Sequence, residues 1–421
     1  MRFLQHAVAA AALLTAVACV DSDNGATAPR ASPTPRFNTT SVTEPATGPW
    51  ARIVEGAIGP GALYALYIPR TWNGDAVHYA HGVGDPDEPV DLNDNAFAAI
   101  RDILGARGFA IAYSSWSSNG MDVKDAAIRV HQLRGILAAE LRQTPSRSFL
   151  LSSSLGGAIA LDLLQTYPAQ YDGALLVCGM VGGPALEIQW GGHVRLLFDL
   201  FYPGALPGSA TSMPPDAPPV TLSQVAAAVQ SNPTPLFMIA SLTQTPLAYV
   251  PVGNPLNPSS TAYQTLVGSL FGPLSLHSRL VNNLNDLAHG HAYFENSTTM
   301  YSLGPHPVLP ASVLQPLVDS ANANVGRYAM DAAGRRFMEH FPAPTGDLRF
   351  PVLTLHNTWD PAMPLLHETA LYEKVVAAGA TRNLLQRLYP AYGHCTIPAA
   401  VLAQNFSDMV NWVTTGVKPA S

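Results

Sequence analysis

Short apolar runs of strand length alternate along the chain with longer stretches in which apolar residues recur at helical spacing. The short runs predict strands at 51–55, 62–68, 76–82, 109–114, 148–152 and 173–178, and the longer stretches predict helices at 91–108 and 123–141 and one directly after residue 154. The first two runs flank Gly-Pro-Gly and predict a hairpin at a sheet edge. Strands that alternate with helices pair in parallel through right-handed crossovers. The pattern therefore predicts an α/β fold with a mostly parallel central sheet flanked by helices.

The alternation stops between residues 182 and 346, where the chain is irregular and Pro-rich, with short helical pieces at 222–230 and 310–324. A loop of this length without structure of its own is implausible, so we expect a large cap. The pattern resumes with strands at 350–356 and 384–389 and helices at 365–378 and 398–413. The sequence therefore predicts a core in two parts, 49–181 and 347–417, with the cap at 182–346 inserted before the first of these two strands.

The N-terminal residues predict a targeting signal rather than folded structure. Residues 1–19 combine Arg2 with a short apolar run that ends in Ala-Val-Ala-Cys, which is typical of an export signal and too short to span a bilayer. The ending resembles a bacterial lipobox, in which Cys19 would carry the lipid; simple cleavage after Ala18 is the alternative. Residues 20–48 are polar and Pro-rich and predict a disordered tether, with folded structure from about Trp50. We expect an exported protein held at the cell envelope, periplasmic or surface-exposed, or else secreted.

Composition narrows the partners. The 421 residues are 48% hydrophobic and 12% charged, which allows a large core, and the net charge of -7 without a basic block argues against nucleic acid. Contact with a membrane is expected only through the anchor at Cys19. His289 and His291 could suggest a metal, but no further Cys, Asp or Glu cluster at ligand spacing accompanies them. We therefore expect neither a metal nor a cofactor.

The candidate nucleophile lies in Ser152-Ser153-Ser154-Leu155-Gly156-Gly157, between a predicted strand and a predicted helix. In a nucleophile elbow the middle residue occupies a strained turn that exposes its hydroxyl, and small neighbours are needed because the strand and helix backbones pass close together. Ser154 takes this position. Ser152 stands where the motif usually has glycine, and it is still small enough to fit.

A serine hydroxyl needs a base, and the base needs a carboxylate that holds its tautomer. Asp360 and His394 follow Ser154 in the order that α/β-hydrolases use, and each lies in a loop after a predicted parallel strand. Asp360 could instead be a turn residue before Pro361, and Glu368 is a rival acid within the following helix. The order and context favour a Ser154–Asp360–His394 triad.

Two backbone amides are expected to stabilise the developing oxyanion, those of Leu155 and of Val83 in His81-Gly82-Val83-Gly84. His81 is expected to shape that loop rather than act as base. With Cys19 used for the lipid, Cys178 and Cys395 remain as a pair in an oxidising compartment. They predict a disulfide that pins the histidine loop to the sheet, with two unrelated buried thiols as the alternative.

These stretches, with Tyr-Ala-His-Gly (79–82), Asp-Gly-Ala-Leu (172–175) and Gly-His-Cys (393–395), resemble the α/β-hydrolase superfamily. They resemble more closely a group of secreted bacterial esterases or prolyl-oligopeptidase-like proteins. The resemblance implies Ser154 as nucleophile, Asp360 as acid and His394 as base. Gly-His-Cys also occurs in tannase-like and feruloyl-esterase-like enzymes, in which a cysteine precedes the nucleophile; Ser153 takes that place here, so their particular disulfide cannot form.

The sequence thus predicts an exported serine hydrolase that cleaves carboxylic esters through an acyl-enzyme. The apolar and aromatic residues scattered through the cap suggest moderately hydrophobic acyl or aryl groups and are compatible with polyesters; they include Trp190, Phe198, Phe201, Tyr202, Phe237 and Phe271. The alternatives are a peptidase or amidase of prolyl-oligopeptidase type, a lipase, and a non-catalytic binding lipoprotein that keeps the fold.

Overall fold

The computed structural model describes residues 41–44, 46–247, 257, 259–304 and 309–420. The predicted export signal, the lipidation site at Cys19 and residues 20–40 of the predicted tether lie outside the described residues. They remain predictions.

A nine-stranded mixed sheet forms the centre of the described chain, in the order β1-β2-β3-β5-β4-β6-β7-β8-β9. The strands are β1 (Ser41–Thr43), β2 (Trp50–Ile58), β3 (Ala62–Pro69), β4 (Asp75–Ala80), β5 (Ala110–Trp116), β6 (Arg147–Ser153), β7 (Gly173–Val177), β8 (Val352–Trp359) and β9 (Leu384–Tyr392). Pairing is antiparallel from β1 through β3 to β5, and parallel from β5 through β4 to β9. This sheet confirms the predicted α/β fold with a mostly parallel centre.

Folded structure begins earlier than the sequence indicated. Strand β1 pairs with β2 in antiparallel register, with Ser41 opposite Glu55 and Thr43 opposite Ile53. Ala46 is buried, and the indole of buried Trp50 donates a hydrogen bond to Asp102. Part of the range predicted as tether, 20–48, is therefore edge structure. A three-residue strand with exposed side chains carries no apolar pattern, which is why the sequence did not reveal it.

Five helices cover the two faces of the sheet, α1 (Asn95–Ala106), α2 (Val123–Leu141), α3 (Gly156–Thr166), α10 (Leu366–Ala377) and α11 (Ala399–Thr415). Helices α1 and α11 share one apolar cluster with side chains from one face of the strands, and α2, α3 and α10 share another with side chains from the opposite face. Burial on both faces explains why β7 is apolar throughout and why β4, although it contains Asp75 and His78, is buried along its whole length.

Between β7 and β8 the described residues form six further helices, α4 (Pro184–Phe201), α5 (Leu222–Ser231), α6 (Thr234–Thr243), α7 (Thr261–Leu287), α8 (Ala311–Asn324) and α9 (Ala332–Glu339). Helices α4 to α8 share an apolar cluster of their own, whereas Met338 of α9 belongs to a cluster of the core. The sequence predicted only short helical pieces here and missed the 27-residue α7, whose interior contains Pro273. None of the described helices is both long and apolar enough to cross a membrane.

Helix α7 connects this region to the edge of the sheet. A Cβ atom at Gly272 would lie 2.9 Å from the carbonyl oxygen of Pro361, and one at Gly268 would overlap with the hydroxyl of Tyr392. Only glycine allows such close approach of a helix to neighbouring chain. Helix α7 therefore packs directly on the loops that follow β8 and β9, the loops in which Asp360 and His394 were predicted to act.

Candidate active site

Ser154 occupies the turn between β6 and α3, with φ of 53° and 7% of its surface exposed. Its amide donates to the carbonyl of Val177 at 3.1 Å, and its own carbonyl accepts from Met180 at 2.8 Å. A positive φ is strained for any residue with a side chain and persists only where the surroundings fix it. The turn expected of a nucleophile elbow therefore forms, held by the neighbouring strand β7 and the chain that follows it.

Two glycines after Ser154 allow the helix to begin so close to the sheet. A Cβ atom at Gly156 would overlap with the backbone carbonyl of Ala80, and one at Gly157 would lie 2.7 Å from the Cα of Gly179. Ser152, the departure from the usual motif, is fully buried within β6 and stays in register with Ala80. The serine at this position is compatible with the turn.

His394 and Asp360 are joined by a hydrogen bond of 2.8 Å, from Nδ1 of the imidazole to Oδ2 of the carboxylate. Asp360 is fully buried, and its other oxygen accepts the amides of Ala362 and Met363, each at 2.9 Å. Because Nδ1–H donates to Asp360, the Nε2 atom of a neutral His394 is left to accept a proton. This is the tautomer that a general base at a serine requires.

One cavity of about 740 Å³ is lined by Ser154, His394 and the loop after β4, including Gly82 and Val83. A Cβ atom at Gly82 would lie 3.1 Å from the Cβ of Ser154, so this loop passes directly beside the serine. The structure thus brings together the predicted nucleophile, base and oxyanion loop at the carboxyl edge of the parallel strands, where open α/β sheets bind ligands.

The amides of Leu155 and Val83 have the character that oxyanion donors need. Leu155 is the N-cap of α3, where helical amides lack partners within the helix and the dipole favours negative charge. In the part of the chain that the structure describes, neither amide donates a hydrogen bond to another residue. Val83 lines the cavity, and Leu155, which is fully buried, directly follows the cavity-lining Ser154.

His81 is held in place within the loop after β4. Its ring stacks on Trp116 with ring centroids 3.6 Å apart, and Nδ1 lies 2.6 Å from the carbonyl oxygen of Gly82, to which it donates. Burial lowers the pKa of His81. These contacts agree with the structural role expected for this histidine.

Cys178 and Cys395 form a disulfide with their Cα atoms 5.5 Å apart, as predicted. Cys178 directly follows β7, and Cys395 directly follows His394. The bond therefore ties the loop that carries the histidine to the strand beside the one that ends at the elbow. The pair of histidines considered for a metal lies elsewhere, after α7, where His291 contacts Asp331 at 3.1 Å.

A group of buried titratable side chains surrounds Asp360, and the sequence did not identify it as a unit. The members are Glu187, His356, His367 and Glu368. Burial raises the pKa of Glu187 well above its usual value, with Asp360 adding to the shift, and burial lowers the pKa of its partner His367 to about 3. Glu187 lies in the region predicted to be irregular, so its only signal was a charge amid apolar neighbours.

Glu368, the rival acid, bonds to other partners than His394. Its Oε2 atom accepts from the hydroxyl of Thr354 at 2.6 Å and from the side-chain amide of Gln386 at 2.5 Å. Of the two candidate carboxylates, Asp360 is the one bonded to His394.

The cavity wall differs from the expectation drawn from the cap's composition. Of the six aromatic residues named above, only Phe271 lines the cavity. Trp190, Phe198, Tyr202 and Phe237 are buried in the apolar cluster of α4–α8. Charged residues line the cavity instead, with four carboxylates from the loop after β4 and one cation on α7; they are Asp85, Glu88, Asp91, Asp94 and Arg279. The aromatic residues of the insertion mainly stabilise the insertion itself.

Comparisons with known proteins return structural likeness only. No family model matches the chain, and no curated protein sequence matches it. Feruloyl esterase B from Aspergillus oryzae is similar over 91% of this chain and 88% of its own, at 16% identity and a TM-score of 0.47. Tannin acyl hydrolase from Aspergillus niger is similar over 90% of this chain and 83% of its own, at 15% identity and a TM-score of 0.47. The rice cell wall degrading esterase LipA from Xanthomonas oryzae is similar over 89% of this chain and 97% of its own, at 12% identity and a TM-score of 0.42.

At such identities the likeness concerns the fold alone. The nine-stranded mixed sheet flanked by helices establishes the fold class independently: the chain has an α/β fold, with a helical insertion before the strand that precedes Asp360.

Proposed function

We propose that the protein is a serine hydrolase that cleaves carboxylic esters, with Ser154 as nucleophile, His394 as base and Asp360 as the acid that orients the base. The observation that carries the proposal is the hydrogen bond between His394 and buried Asp360, in a cavity that also contains Ser154 on its strained turn. A buried carboxylate that holds an imidazole beside a strained serine matches the requirements of nucleophilic catalysis.

In the proposed reaction, Nε2 of His394 removes the proton from Ser154 as its oxygen attacks the ester carbonyl. The amides of Leu155 and Val83 stabilise the negative oxygen of the tetrahedral intermediate. His394 then donates the proton to the departing alcohol, which leaves an acyl-enzyme. Water, activated by the same histidine, releases the acid and restores the serine.

The apolar part of the cavity wall, with Val83, Phe271 and Leu276, supports moderately hydrophobic acyl or aryl groups as substrates. We further propose that the protein is exported and anchored through a lipid on Cys19. The disulfide between Cys178 and Cys395 supports export, because such bonds persist in oxidising compartments.

The test is hydrolysis of p-nitrophenyl esters from acetate to palmitate by the wild-type protein and by Ser154→Ala. We expect the variant to lose at least about 10³-fold in kcat, because the remaining groups lack a nucleophile. Ser153→Ala is the matched control: it removes the neighbouring hydroxyl, which bonds to Tyr79, and should retain activity within a few fold.

Equal activity of wild type and Ser154→Ala would remove Ser154 from the proposal. Activity on aminoacyl anilides but on no ester would favour a peptidase or amidase. Failure of Ser154 to react with a fluorophosphonate, together with inactivity on both substrates, would leave a binding protein with this fold.

A further inference from the structure

A second imidazole, that of His356 within β8, lies next to Asp360 and is fully buried. Its Nε2–H donates to the carbonyl of Met363 at 2.8 Å, and Nε2 lies 3.9 Å from Oδ2 of Asp360. The amide of Met363 in turn donates to Oδ1 of Asp360. The turn from Asp360 to Met363 is therefore held from both sides, by the carboxylate and by the imidazole.

The other ring nitrogen of His356 faces a carboxylate. Nδ1 lies 3.5 Å from Oε1 of Glu368, an ion-pair distance. Since Nε2 already carries a proton, an unprotonated Nδ1 would point a lone pair at the carboxylate oxygen. The geometry therefore favours His356 as a cation between two carboxylates.

The balance of charges agrees with this arrangement. Burial by itself would lower the pKa of His356, but the carboxylates of Glu368 and Asp360 outweigh burial and raise it above its usual value. The other titratable groups that face this pair are Glu187 on α4, His367 on α10 and His394 after β9. Burial raises the pKa of Glu187 well above its usual value and lowers the pKa of His367 to about 3, so both shifts favour the uncharged form of the group.

We propose that His356, held as a cation by Glu368, is a positioning residue for Asp360: it clamps the turn that orients the carboxylate toward His394. The inference rests on the proposed function in that Asp360 is taken as the acid. Because His356 and His394 both approach Oδ2 of Asp360, a positive charge on one imidazole disfavours a positive charge on the other.

The experiment is an NMR titration of the His394 imidazole, whose signal is identified by its absence in His394→Asn. It compares wild type with His356→Gln, which keeps a donor toward the carbonyl of Met363 and removes only the positive charge. Without the cation, the midpoint of the His394 titration and the acid limb of kcat/KM on an active ester should both move to higher pH. His367→Gln is the matched control: it removes an equally buried imidazole whose pKa burial lowers to about 3, so no positive charge is lost at neutral pH and the midpoint should stay in place.

An unchanged titration midpoint of His394 in His356→Gln, or an equal shift in His367→Gln, would overturn the proposal. If His356→Gln does not fold, His356→Asn replaces it with the same expected upward shift, and its absence overturns the proposal. The titration needs no substrate. A wild type that hydrolyses no ester would therefore sink the proposed function while the shift in His394 still tests the charge arrangement.

Discussion

The two sides of the cavity are built by different means. On the nucleophile side, at the ends of β4, β6 and β7, steric contact does the positioning: Ser154 is held at a positive φ and Gly156 leaves no room for a side chain. On the acid–base side, after β8 and β9, hydrogen bonds and buried charges hold Asp360 and His394. We therefore expect the nucleophile side to be disrupted by added atoms, and the acid–base side to be disrupted by the loss of a charge or by a change of pH.

The disulfide connects the two sides. Cys178 and Cys395 both have positive φ, like Ser154, so the backbone is strained on each side of the bond. The histidine loop is thereby fixed covalently to the strand next to the elbow. The disulfide therefore fixes the position of His394 relative to the turn that carries Ser154.

The largest effect is expected from a change of charge on the acid–base side. Asp360→Asn keeps the shape of the site but favours the wrong tautomer of His394, so kcat for ester hydrolysis should fall about 10³- to 10⁴-fold. Ester kinetics and thermal unfolding, measured together, separate this loss from unfolding. A loss below tenfold in Asp360→Asn would mean that a carboxylate other than Asp360 orients the base.

The next effect is steric and belongs to the nucleophile side. Gly156→Ala places a methyl group against the backbone carbonyl of Ala80, which has no flexible atom to move, so we expect a loss of about 3 kcal/mol or more in unfolding free energy. Gly135→Ala is the control. It lies within α2 with nothing within 4 Å of the added methyl, and should stabilise the protein by up to about 1 kcal/mol. Urea unfolding of both variants measures the contrast; similar stabilities would remove the steric account of the elbow.

The smallest expected effect is on the pH dependence of stability and concerns a buried imidazole on the nucleophile side. His78 lies on β4, on the nucleophile side, and burial lowers its pKa to about 3, with Arg134 and His131 adding to the shift. In the unfolded chain His78 binds a proton near pH 6.5, whereas in the folded chain it does so only near pH 3. The free energy of unfolding therefore loses nothing to His78 above pH 6.5 and falls on acidification, by about 2 kcal/mol at pH 5.

His78→Leu should remove this part of the pH dependence. Unfolding free energies from urea titrations at pH 7 and pH 5 should differ less in the variant than in wild type. Parallel losses in the two proteins would mean that His78 is protonated in the fold. His367, with its pKa also lowered to about 3 on the acid–base side, contributes in the same direction and remains in both proteins.

The sequence indicated the sheet well because the parallel strands centre on short apolar runs, and because the elbow has a local pattern of small residues. The insertion was indicated poorly. Helix α7 contains Gly268, Gly272 and Pro273, which interrupt helical periodicity, and tertiary contacts with Pro361 and Tyr392 account for the glycines. The sequence suggested that the aromatic residues of the insertion contact substrate, whereas most of them form the insertion's own core.

By itself the sequence determined the α/β sheet, the turn at Ser154, and the loops in which Asp360 and His394 lie, because each depends on local composition and on the order of elements. Only the tertiary structure decided which carboxylate bonds to His394, and that His356 stands between Asp360 and Glu368. These contacts join residues from separate strands and helices. Their charges interact strongly only where burial excludes water, and the spacing of residues along the chain does not show which side chains will be buried together.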